Sequence, residues 1–234
     1  MIIKNKFGSV DMTIPENYHD ILISFSGGVD STLMYWLLLT SIEPERGVTF
    51  HTLTGVTPQK GKFKQFTSQQ NFDNLREDFP QHSIPDRHII YNKTQIEVGD
   101  YAINLQQNGA ADLGLFGLTR NPPHNIMSDH DLLRSRIEDR DVEVTKNEWV
   151  YHRNHAMMYQ PFINIDKRWV AQCYFDFGLM DRYYNNTISC ERLRDTPDMQ
   201  HNEEPCGHCW WCREKKMAFG MLDGQYDSFE SIKE

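Results

Sequence analysis

One stretch constrains this chain more than any other: Asp20-Ile21-Leu22-Ile23-Ser24-Phe25-Ser26-Gly27-Gly28-Val29-Asp30-Ser31-Thr32, continued by Leu33-Met34-Tyr35-Trp36-Leu37-Leu38. Ile21-Leu22-Ile23 is short, branched and unbroken, the pattern of a strand buried on both faces. Positions 33, 34, 37 and 38 are apolar at helical spacing. Strand, glycine turn and helix together aim free backbone N–H groups and the positive end of a helix at an anion. Two glycines permit the sharp turn and let anion oxygens approach the backbone. Asp30, Ser31 and Thr32 crowd the helix start, where they either cap it or reach a bound anion and its counter-ion.

The rest of the chain repeats the alternation. Ile2-Ile3 begins a short strand or hairpin, with a turn near Pro15, and the first helix runs from about Ser31 to Thr40. Val48–Thr54 is strand-like. After a polar Lys/Gln/Gly loop, Phe72, Leu75 and Phe79 keep helical spacing up to Pro80. His88–Tyr91 is a third strand of this kind. Ile96, Val98, Tyr101, Ala102 and Leu105 mark a helix ending before Gly109, and Asp112–Leu118 is a fourth strand. This predicts an α/β fold: a doubly wound, mostly parallel sheet of about five strands. Ligands then sit outside the carboxyl ends of the strands, around Ser26–Ser31, the loop after Leu53, and Thr119–His124.

Residues 125–150 are charge-rich, with a short helix predicted around Leu132, Leu133 and Ile137 and an edge strand at Val142/Val144. A helix N-capped by Asp166 carries the stripe Trp169, Val170, Cys173, Tyr174, Phe177 and ends at Gly178. Cys173 in that stripe reads as a core thiol.

The chain has 234 residues and a net charge of −9. That length predicts one main domain with a small appendage: 1–180, and a tail over 181–234. No apolar run approaches the ~20 residues of a membrane span, and the N-terminal stretch lacks a signal peptide's apolar region, so a cytoplasmic protein is expected. The acidic balance argues against nucleic acid as partner. Monomer and homodimer are both open.

The tail reads Cys206-Gly207-His208-Cys209-Trp210-Trp211-Cys212. Three thiolates this close surround one ion and leave a tetrahedral corner, for which Cys190 is the natural fourth ligand and His201 or His208 weaker ones. The spacing also matches three ligands of a [4Fe–4S] cluster. Zn2+ is favoured because no Cys-Pro completes the ferredoxin pattern and Cys190 closes a four-cysteine site.

Ser26-Gly27-Gly28-Val29-Asp30-Ser31 resembles the SGGxDS signature of the PP-loop (N-type) ATP pyrophosphatases. It lacks the lysine and glycine spacing of a Walker A loop. With Ser189-Cys190, the run Pro205–Arg213, Phe219 and the Gln160-Pro161-Phe162 to Gly178 segment, the chain resembles the 7-cyano-7-deazaguanine synthase family, as a divergent member. The departures are Thr54–Lys60, Gly117–His124, and the longer spacing from Cys190 to Cys206.

The resemblance implies an ATP-binding, Mg2+-dependent ligase. A carboxylate, in that family 7-carboxy-7-deazaguanine, is adenylated with release of pyrophosphate, and ammonia then gives an amide and finally a nitrile. It implies ATP contacts from Ser24, Ser26, Gly27, Gly28, Val29, Asp30, Ser31, Thr32, Leu53 and Thr54. Asp30, Ser31 and Lys167 would serve the chemistry, with Asp30 on Mg2+ and Lys167 offsetting phosphate charge. Arg120 or Arg134 would pair with the substrate carboxylate, near Asn121 and His124. Cys190, Cys206, Cys209 and Cys212 would bind Zn2+. Two alternatives stand beside it: another PP-loop adenylating enzyme, of amide-ligase or tRNA-thiolation type, and a non-catalytic ATP-binding zinc module.

Overall fold

Ile3 and Val10 face each other across an antiparallel hairpin of β1 (Ile2–Asn5) and β2 (Gly8–Asp11), the only inward-turned apolar residues of those two strands. The computed structural model describes residues 1–56, 61–91, 95–127, 140, 143–151, 156–189, 205, 207 and 209–222. After the hairpin come β3 (Asp20–Ser24), α1 (Val29–Ser41), β4 (Thr49–Val56), α2 (Gly61–Asp78), β5 (His88–Tyr91), α3 (Gln95–Gln107) and β6 (Leu113–Phe116). They are followed by β7 (Trp149–Tyr151), β8 (Met157–Tyr159), α4 (Lys167–Asp176), α5 (Met180–Tyr183) and α6 (Trp210–Phe219). No helix among the described residues is long and apolar enough to cross a membrane.

The main sheet has six strands among the described residues, in the order β5-β4-β3-β6-β8-β7. All neighbours are parallel except β7, which runs antiparallel to β8. The chain is therefore α/β with a mostly parallel sheet. Ile21, Leu22 and Ile23 are wholly buried at its centre, because a central parallel strand has neighbours on both edges and helices over both faces. Ile21 and Ile23 pack into a core shared with α1, α2 and α4, while Leu22 faces the other way, onto Ala102 of α3 and Leu53. The sequence progresses from β3 through β4 to β5 on one side, then returns to β6 on the other. The reversal point lies between the ends of β3 and β6, where open α/β sheets bind ligands.

Several elements differ in detail from the sequence expectation. Helix α2 begins at Gly61, so part of the expected polar loop is helical. Of the expected edge strand at Val142/Val144, Val142 lies outside the described residues and Val144 lies in an exposed bend; the antiparallel edge strand is β7. Trp149 supplies the reason: its ring stacks on Tyr159 at 4.2 Å and on Tyr18 at 6.2 Å, contacts that Val144 cannot make. β8, unassigned from sequence, adds a strand beside β6. Asp166 does cap α4, its carboxylate accepting from the Arg168 N–H, and Gly178 follows the helix with φ +67°. Phe177, expected in the buried stripe, is 40% exposed and stacks on Trp36 instead. The expected helix around Leu132–Ile137, and Arg134 with it, lies outside the described residues.

The described part of the tail shares the main core. Phe219 of α6 packs edge-on against Tyr174 of α4 at 5.5 Å and against Tyr184 at 4.8 Å.

Candidate functional site

The loop from Phe25 to Gly28 is held closed by its own hydroxyls. Ser26 N–H donates to Ser31 Oγ at 3.2 Å, Ser31 Oγ donates to Gly28 O at 3.2 Å, and Gly28 N–H donates to Ser26 Oγ at 3.3 Å. The two hydroxyls lie 3.1 Å apart. Ser31 thus braces the loop from the first turn of α1, whose N-cap, Gly28, makes no side-chain cap bond. From behind, Thr54 Oγ1 donates to Phe25 O at 2.7 Å and Phe25 N–H donates to Leu53 O at 2.8 Å. The Leu53 and Thr54 side chains are buried beneath the loop, and Ser24 lies in register between Leu53 and Phe116.

Two glycines allow backbone to meet backbone here. Gly27 has φ +73°, and a Cβ on it would stand 2.5 Å from Ser68 Cβ on α2. A Cβ on Gly117, just past β6, would stand 3.1 Å from the Asp30 carbonyl. The segment after β6 is therefore pressed onto the first turn of α1, at the reversal point of the sheet. Arg87 reaches the same wall: it donates to Ser68 Oγ, and to Gln69 Oε1 at 2.8 Å.

Asp30 and Lys167, distant in sequence, meet here. Lys167 is the first residue of α4, and its Nζ lies 3.1 Å from Asp30 Oδ2 and 2.9 Å from Glu214 Oε2 on α6. The Lys167 and Glu214 side chains are 5% and 2% exposed. Burial pushes the Asp30 carboxyl above the usual carboxylate range; Lys167 opposes that shift and Glu214 adds to it. Asp30 Oδ1 is buried and has no hydrogen-bond partner among the described residues. An orphaned carboxylate oxygen beside a helix start fits an oxygen ligand of a hard cation. Tyr174 of α4 locks the same turn by donating to Val29 O at 3.1 Å.

The three substrate candidates differ in partners and exposure. The Arg120 guanidinium donates to Asn164 O at 3.2 Å, Asn121 is buried with its N–H on Arg140 O at 3.1 Å, and His124 is exposed. Arg140 also lies close enough to bias Asp30 toward its charged form.

Of the four candidate thiols, Cys209 and Cys212 are buried at the start of α6, in a small cluster with Trp211 and Leu222. Cys190 and Cys206 lie outside the described residues. Among the described residues no group of three or more His, Cys, Asp or Glu is arranged to hold a metal ion. Two buried thiols at one helix start fit half of a four-thiolate site. Cys173 is a core thiol, 1% exposed, its pKa pushed up by burial to about 12.

Sequence reasoning missed Glu214, Lys215 and Gly117. Glu214 and Lys215 are charged residues in a short amphipathic helix, where solvent is the ordinary surrounding, and no local signal marks them as buried. Gly117 carried only the weak signal of a glycine just past a strand. No family model matches the chain, and no curated protein matches it either.

Proposed function

We propose that this chain is a PP-loop ATP pyrophosphatase on a doubly wound, adenine-nucleotide-hydrolase-like domain. In this reading it adenylates a carboxylate, with 7-carboxy-7-deazaguanine the first candidate substrate and ammonia the acceptor. One observation carries the reading. Asp30, in the SGGxDS-like loop at the sheet's reversal point, pairs with Lys167 while keeping one buried oxygen without a hydrogen-bond partner among the described residues.

The residues have complementary tasks. Backbone N–H groups of the Ser26–Ser31 loop and the α1 start would bind the β- and γ-phosphates. Asp30 would hold Mg2+, which when bound supplies charge neutralisation at the phosphates. Lys167 offers positive charge beside the departing pyrophosphate. A substrate carboxylate oxygen attacks the α-phosphorus, the α–β bridging P–O bond breaks, and pyrophosphate leaves with the electron pair. Ammonia then attacks the acyl carbon, AMP departs and the nitrogen loses a proton, giving an amide. A second adenylation, on the amide oxygen, followed by loss of AMP and the remaining N–H protons gives the nitrile. Arg120 is the candidate guanidinium for the substrate acid.

Cys209 and Cys212, with Cys190 and Cys206, would hold a structural Zn2+ that ties the tail to this domain. Metal analysis is expected to return about one zinc per chain; a charge-transfer band would indicate an iron–sulfur cluster instead.

The test is pyrophosphate release with ATP, Mg2+, ammonium and 7-carboxy-7-deazaguanine. Turnover is expected in the unaltered chain and a loss of at least about a thousandfold in Asp30→Asn, which removes the cation ligand at constant size. Turnover only with a different acid would reassign the substrate. Full activity in Asp30→Asn would overturn the assignment of the loop.

A further inference from the structure

Lys167 faces two carboxylates, a partly buried one, Asp30, in the loop, and a buried one, Glu214, outside it. Glu214 comes from the opposite end of the chain, two residues after Cys212, and meets Nζ at 2.9 Å against 3.1 Å for Asp30. If Asp30 were the lysine's one counter-charge, a cation taking Asp30 would strand a desolvated ammonium, which is strongly unfavourable. With Glu214 in place, the ammonium stays paired while Asp30 turns to the cation.

The neighbouring residue braces the other side of the loop. Lys215, fully buried, donates to Thr187 Oγ1 at 2.7 Å and lies 4.2 Å from the centre of the Tyr184 ring. The next carbonyl after Thr187, Ile188 O, would stand 3.6 Å from a Cβ on Gly28. Adjacent side chains of α6 therefore reach both the lysine and the segment lying over the glycines. The helix is anchored at its start by buried Cys209 and Cys212 and at its end by Phe219 in the core.

We propose that Glu214 is a positioning residue of the nucleotide site: it retains Lys167 so that Asp30 is released to a divalent cation, which makes the cysteine-bearing helix part of that site. This rests on reading the loop as an ATP site.

The experiment measures binding of α,β-methylene-ATP to the full chain as a function of Mg2+ concentration. In Glu214→Gln the lysine has lost one carboxylate and grips Asp30 more tightly. The Mg2+ midpoint is therefore expected to rise about tenfold, the scale of coupling between adjacent charges. Affinity at saturating Mg2+ should stay within about threefold, whereas a merely structural role would weaken it without moving the midpoint. Glu214→Asp keeps a carboxylate on α6 at a shorter reach, and so carries the test if Glu214→Gln does not fold. Its midpoint is expected to rise by about threefold, because a more distant carboxylate holds Lys167 less firmly. An unchanged midpoint in Glu214→Gln, or in Glu214→Asp where the Gln variant does not fold, overturns the role of Glu214. Absence of nucleotide binding in the unaltered chain overturns the inference together with the reading beneath it.

Discussion

At Gly27 a single hydrogen atom in place of a side chain decides whether the loop and α2 pack at all. Its φ of +73° is left-handed, and an added Cβ would fall 2.5 Å from Ser68 Cβ. Gly47 has a similar φ of +67° but nothing within 4 Å of an added Cβ. The pair separates backbone strain from overpacking. In urea unfolding, Gly47→Ala is expected to lose about 1 kcal/mol, the left-handed penalty alone. Gly27→Ala should lose about 2–4 kcal/mol, because the same penalty adds to a collision with helix backbone. Equal losses would show that the Ser68 contact is soft. Asp30, Gly27 and Ser31 were legible as a group in the sequence, since the strand, turn and helix that align them are contiguous. Glu214 was not, because its partner lies 47 positions away, and only the packing of α6 on α4 brings them together.

Helix α4 shows how one element sets the Lys167 side chain. Asp166 accepts from the Arg168 N–H at 2.9 Å and pairs with its guanidinium at 2.6 Å, which fixes the first turn and with it Lys167. Replacing Asp166 with Ala is expected to cost about 1–2 kcal/mol in chemical denaturation, and Asp166→Asn to recover most of it, since Asn caps nearly as well. If Asn restores nothing, the Arg168 pair and not the cap holds the turn. Sequence pattern located this helix, its cap and Gly178 because those signals are local. It misjudged Phe177, since the last turn of an amphipathic stripe is buried only if neighbours cover it; here Trp36 stacks on the ring and leaves it 40% exposed. The edge strand was displaced from Val144 to β7 for the converse reason: strand pairing there follows a three-ring stack of Tyr18, Trp149 and Tyr159, drawn from three places in the chain.

Across the molecule, the hairpin, sheet and tail converge on α4. Asn5 Nδ2 donates to Trp169 O at 3.1 Å and lies 3.5 Å from Cys173 Sγ, and the Trp169 indole donates to Gly8 O at 3.2 Å. Cys173 reports on this junction. Its thiol holds its proton to about pH 12 in the folded chain, against an ordinary value near 9.0. The unfolded chain therefore releases that proton first. The thiol's contribution to stability is complete below about pH 9 and declines as pH rises toward 12. The stability gap between the unaltered chain and Cys173→Ala, measured by urea unfolding from pH 8 upward, is expected to narrow through that range. A constant gap would place the thiol in a wetter setting than its 1% exposure indicates.

What the sequence determined by itself was what short-range chemistry encodes. It specified the alternating strands and helices, the glycine turn that joins β3 to α1, the helix caps, and three closely spaced cysteines in the tail. Tertiary structure alone decided the rest. It put the reversal of strand order beside the loop, pressed Gly117 onto Asp30, and buried Lys167 between carboxylates from opposite ends of the chain. Those outcomes depend on which surfaces meet once the sheet is assembled, and a buried charge is tolerated only where a distant opposite charge arrives with it.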